Sequence, residues 1–97
     1  MKTNKYLFFN NYDVLNYWYM KVRDFLQARK VIWKCNSLNK EIDLGGQKWV
    51  FVKNDGRTNF TGMREIHAYY NMDNYFEKDF EGTIKKILKG EDLDVQE

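Results

Sequence analysis

The dipeptide Gly45-Gly46 constrains the fold of this chain more than any other feature. Before it stands Glu41-Ile42-Asp43-Leu44 and after it Gln47 to Val52, two runs whose alternation suits pleated strands. A two-residue connection between antiparallel strands needs positive φ angles, which glycine adopts at no steric cost. The spacing therefore predicts a hairpin. On its second arm Trp49 and Phe51 share one face while Val50 and Val52 share the other, so this strand is apolar on both sides and expected to be central.

Around that hairpin the period of the apolar residues changes twice. Lys5 to Phe9 reads as a strand ended by Asn10-Asn11. From Tyr12 onward Leu15, Trp18, Val22, Phe25 and Leu26 recur at helical spacing, predicting an amphipathic helix capped by Asn11 or Asp13. Val31, Trp33 and Cys35 then alternate as a second strand, with Cys35 read as a small core hydrophobe. Ile66, Ala68 and Tyr70 alternate in a further strand, with a helical turn as the other reading. Asp73 or Asn74 caps a final helix whose stripe is Phe76, Phe80, Ile84, Ile87 and Leu88, and Gly90 suits its C′ position. Gly82 inside that helix costs about 1 kcal/mol relative to Ala.

The expected order is β-α-β-β-β-β-α: a small antiparallel sheet with two helices, in the α+β class. Residues 1–90 form a single domain and 91–97 an acidic, frayed C-terminal tail. With 97 residues, 43% hydrophobic and 31% charged, the chain has enough apolar area for one core and should fold unaided.

Composition also limits chemistry. The single His67, single Cys35 and single Ser37 lie in different segments and mark neither a zinc site nor a nucleophile with its base. Asp73, Glu77 and Glu81 recur every four residues, a spacing that would suit an oxygen-ligand Mg²⁺ site but is explained as well by a solvated helix flank. Neither nucleotide-binding glycine fingerprint is present. No catalytic residue, metal or cofactor is assigned, and the expectation is a protein that is not an enzyme. One cysteine gives no internal disulfide, and the apolar stretch from Tyr6 to Tyr19 is broken by Asn10, Asn11, Asp13 and Asn16, so no membrane association is expected and the cytoplasm is the expected location.

What remains is binding. The chain holds seven Tyr, seven Phe and three Trp, the side chains with the largest contact areas. Tyr17, Tyr19 and Met20 exceed what one apolar stripe needs. Arg57, Phe60 and Arg64 stand in a polar, glycine-flanked loop from Gly56 to Arg64, a composition that suits an anion or a partner's carboxylates. These six residues form the expected protein-binding surface. The net charge of +2 hides an asymmetry, because residues 1–64 hold twelve basic against five acidic residues and residues 65–97 four against nine. The ten Asn, twelve Lys and seven Tyr fit a low-GC coding sequence of the kind phages and mobile elements carry. The functional expectation is a small inhibitor of a host factor, such as a defence nuclease, acting by protein–protein contact.

The alternative is single-stranded nucleic acid, bound by Tyr6 and Phe8 on one strand and Lys48, Trp49, Phe51 and Lys53 on another, with aromatic faces stacking bases and lysines tracking phosphates. Over these two strands the pattern resembles the two ribonucleoprotein motifs of the RNA-recognition family. It departs from them in the turn and polar loop that follow the second strand, where that family has a helix, and in the glycine and aromatic spacing of the longer motif. A homo-oligomeric structural subunit is the third reading.

Overall fold

A computed structural model describes residues 3–54 and 66–93. Strand β1 (Thr3–Phe9) leads through Asn10 into α1 (Tyr12–Ala28). The Asn11 side-chain oxygen accepts from the amides of Asp13 at 2.7 Å and Val14 at 3.4 Å, satisfying two donors that have no partner within the helix. The helix ends where Lys30 takes a φ of 58°, and the amides of Arg29 and Lys30 turn back onto the carbonyls of Leu26 and Gln27.

Three strands follow: β2 (Lys34–Asn36), β3 (Glu41–Asp43) and β4 (Gln47–Lys53). The glycine hairpin forms between the last two. Gly45 has a φ of 94°, its amide donates to Asp43 Oδ1 at 2.9 Å, and the Leu44 amide reaches the Gln47 carbonyl at 2.8 Å. β5 (Ile66–Tyr69), α2 (Met72–Lys78) and α3 (Phe80–Lys89) complete the order.

The architecture is α+β, as expected, but the sheet is mixed rather than antiparallel. Its strand order is β2-β3-β4-β1-β5, and β1 pairs parallel with both β4 and β5. Because α1 carries the chain back along the sheet, the second arm of the hairpin enters beside β1 in the same direction. The run Tyr6-Leu7-Phe8-Phe9, apolar on both faces, is what a strand flanked by parallel neighbours requires. β4 is the middle strand.

Register divides the aromatics. Leu7 lies opposite Phe51 and Tyr69, and Lys5 opposite Trp49, so Leu7, Phe9, Trp49, Phe51 and Tyr69 project toward the helices. There they join Leu15, Trp18, Val22 and Leu26 from α1 and Phe76, Ile84 and Ile87 from α2 and α3 in one buried cluster. Phe25 and Phe80, expected in the same stripes, sit half-buried at its margin with their rings edge to face at 5.5 Å. On the other face Tyr6, Phe8 and Val50 make a second, smaller cluster.

The final helix of the sequence reading is two helices, which makes three in all. Asp79 takes an extended φ of −156°, closes α2 through its amide to the Tyr75 carbonyl, and caps α3 by accepting the Gly82 amide at 3.0 Å. An aspartate that bonds the backbone ahead of it competes with helix continuation. Gly82 is the residue this cap demands, because a Cβ there would collide with the Asp79 carboxylate. Past α3, Gly90 takes the left-handed C-cap conformation with a φ of 76°. Leu93 is buried in the main cluster, so the first part of the expected tail packs onto the domain; residues 94–97 lie outside the described residues. No described helix is long and apolar enough to cross a membrane.

Candidate contact surfaces

The second strand departs most from its sequence reading. Val31, Trp33 and Cys35 alternate, yet the strand begins only at Lys34, and Cys35 is exposed rather than a core residue. The physical reason lies in the sheet order. β2 is an edge strand three residues long, and α1 packs mainly against β1 and β4, so the core covers it only at its margin, where Tyr19 meets Cys35. Trp33 is 70% exposed just before the strand, Leu38 is 86% exposed just after it, and Val31 is also exposed.

The turn after β2 is built to hold Leu38 outward. Asn36 Oδ1 accepts from the amides of Leu38 at 3.0 Å and Asn39 at 3.1 Å. Lys40, with a φ of 56°, donates from Nζ to the Ser37 carbonyl at 2.6 Å. A leucine enclosed by Asn36, Ser37, Asn39 and Lys40 has no core reason to be there, and that was the available sequence signal for this surface.

Beside this edge lies an open groove of about 670 Å³, lined by Lys34 to Leu38 and by Glu41, Asp43 and Lys48. Its charges are balanced. Lys48 pairs with Glu41 at 3.6 Å, and the buried Asp43 carboxylate accepts the Gly45 amide. Among the described residues no group of three or more His, Cys, Asp or Glu side chains converges on a common point. The break at Asp79 places Glu81 on a different helix from Asp73 and Glu77.

The expected protein-binding residues are dispersed. Tyr17 and Met20 are 55% and 50% exposed on the outer side of α1, where Tyr12 joins them. Lys21 stands over the Tyr17 ring at 5.3 Å from its centroid. Tyr19 is buried instead. It lies four residues after Leu15 and three before Val22, which puts it within the apolar stripe rather than beyond it, and it meets Phe51 edge to face at 5.3 Å. Its hydroxyl donates to the Glu41 carbonyl at 3.4 Å. Burial, reinforced by the adjacent Cys35 side chain, pushes its pKa up to about 12. Arg57, Phe60 and Arg64, with the loop that holds them, lie outside the described residues.

The expected nucleic-acid platform does not assemble. Tyr6 pairs with Val50 and Phe8 with Val52, whereas Trp49 and Phe51 pair with Lys5 and Leu7. The two aromatic pairs therefore occupy opposite faces of the sheet, and Trp49 and Phe51 are enclosed in the main core. Lys48 and Lys53 are likewise on opposite sides of β4 by parity, the first half-buried and the second exposed at the strand end.

Lys5 is the one buried cation among the described residues, and it serves the fold. Its ammonium donates to the carbonyls of Ile87 and Leu88 at the C-terminal end of α3, where a positive charge complements the helix dipole. Gln47 adds a bond from Nε2 to the Leu88 carbonyl at 3.3 Å, while its Oε1 accepts from Trp49 Nε1 at 2.8 Å. Burial lowers the Lys5 pKa.

No protein-family model, curated protein or solved structure matches this chain.

Proposed function

We propose that this protein is a small binding module that acts by protein–protein contact and carries out no chemistry of its own. The observation that carries the reading is the exposure of Trp33 and Leu38 at either end of the edge strand β2, beside the groove. Neither side chain belongs to the main core, and the Asn36 turn holds Leu38 outward. Tryptophan is among the residues that most often dominate binding energy. A module of this kind alters its partner by occupying a surface, which is how an inhibitor of a host factor would work. The outer side of α1, with Tyr12, Tyr17 and Met20, is a second surface of the same character.

The test compares wild-type chain with Trp33→Ala/Leu38→Ser and Tyr17→Ala/Met20→Ala as baits in nuclease-treated lysate, at low and high salt. Protein partners retained at high salt by wild type and lost by the first double variant are the expected result. Partners lost on nuclease treatment, or affinity that collapses as salt rises, would refute protein contact in favour of nucleic acid. Retention by both double variants would show that neither surface is used.

A further inference from the structure

Resting on the protein-binding reading, we propose that the β2 edge receives an extended, acidic segment of a partner polypeptide, added to the sheet as a sixth strand. Among the described residues the sheet ends at β2, so one side of that strand has no neighbouring strand there, and such an edge is a template for main-chain pairing. Natural edges are guarded by proline, bulges or inward charges. β2 contains no proline, and its guards are its length of three residues and Lys34, whose charge an acidic strand would neutralise.

Charge selects the occupant. From Arg29 to Lys40 the chain carries Arg29, Lys30, Lys34 and Lys40 and no acidic residue. Arg29 is held over the Phe25 ring at 3.6 Å and Lys40 on the Ser37 carbonyl. Lys30 and Lys34 are exposed, and neither belongs to an ion pair among the described residues. A strand laid along β2 would thus meet cations along its length and the apolar side chains of Trp33 and Leu38 at its two ends.

Two other occupants fit this edge less well. A second copy pairing antiparallel through β2 would set one cationic edge against another, a like-charge arrangement that disfavours association. For a nucleic acid, Trp33 is the one exposed aromatic ring at this edge among the described residues, so successive bases would find no second stacking surface. Leu38 and Val31 offer it no stacking surface. An acidic peptide with alternating apolar residues satisfies backbone, apolar ends and charge together.

The experiment selects a phage-displayed library of random dodecapeptides on the full-length chain. Enriched sequences are then synthesised in plain form and with alternate backbone amides N-methylated. Two intrinsic probes report the site: Cys35, the sole cysteine, through its maleimide reactivity, and Trp33 through its emission, since Trp18 and Trp49 are buried. The expected result is peptides rich in Asp or Glu and in β-branched or aromatic residues, which protect Cys35 and shift Trp33 emission to the blue. Trp33→Ala should weaken them by roughly thirtyfold, the loss a hot-spot side chain carries. Lys34→Glu should weaken them severalfold, with a salt dependence that the wild type shows and the variant lacks. N-methylation should abolish binding.

Peptides without an acidic excess, or tolerant of N-methylation, or unaffected by both variants, would overturn the sixth-strand proposal. If such peptides were instead lost on Tyr17→Ala, the protein-binding reading would survive on the α1 surface. No enriched peptide, together with binding of a dodecamer of thymidylate, would overturn both.

Discussion

Phe76 and Phe80 lie on one stripe of the sequence, four residues apart, and only the packing separates their energetic roles. Phe76 is fully enclosed, with its ring centroid 6.2 Å from Phe9, 5.3 Å from Trp18 and 5.6 Å from Phe80. Phe76→Ala removes the transfer free energy of a whole buried ring and leaves a cavity among rigid aromatic neighbours that collapse poorly. The cost is roughly 3–5 kcal/mol. Phe80 keeps part of its ring in water at the core margin, where it lies against Trp18 and Phe25. Its truncation loses less buried area and opens a space that solvent can enter, for a smaller cost of about 2–3 kcal/mol. A domain of this size melts about 4–8 °C lower per kcal/mol lost. Phe76→Ala should therefore melt about 12–40 °C lower and Phe80→Ala should lose distinctly less. Calorimetry of both variants, with urea titrations to confirm that the dependence on denaturant is unchanged, measures the difference. Equal losses would refute the assignment of Phe76 to the interior and Phe80 to its edge.

The cap at the α2–α3 break predicts a coupling that helix propensity alone does not. Gly82→Ala should leave stability unchanged or reduced in the wild type, because the roughly 1 kcal/mol gained in propensity is offset by displacing the Asp79 carboxylate, whose cap is worth about the same. In an Asp79→Ala background the same change should stabilise by up to about 1 kcal/mol, and a denaturation double-mutant cycle showing no coupling would refute the cap. Tyr19 gives a pH signature. With its folded-state pKa raised to about 12 against an ordinary 10, its contribution is fully present below pH 10 and is lost as pH rises through 12. Tyr19→Phe should thus lose less stability than wild type over that window, with Tyr6 and Tyr69, whose pKa values are also raised by burial, supplying the remaining slope. Parallel curves from urea midpoints across the window would show that the Tyr19 hydroxyl is not buried.

Local structure was largely legible in the residues: the Gly45-Gly46 hairpin, the stripe of α1 with its cap at Asn11 or Asp13, and most of the apolar residues that fill the core. Each follows from interactions within a few residues, where periodicity, turn geometry and capping act directly. The segment around Ile66–Tyr69, by contrast, read as strand or helical turn until its pairing with β1 made it a strand. Tyr19 was legible by its spacing from Leu15 and Val22, and so was the odd position of Leu38 among turn residues. The remaining features arise from long-range packing. Parallel pairing of β1 with β4 and β5 depends on which way α1 returns the chain, and two apolar-faced strands are compatible with either direction. Register then set Tyr6 and Phe8 against Trp49 and Phe51 on opposite faces, a division that no single strand encodes. Trp33 followed the same logic: an alternation of Val31, Trp33 and Cys35 is equally consistent with burial or exposure, and the position of β2 at the end of the sheet left it in water.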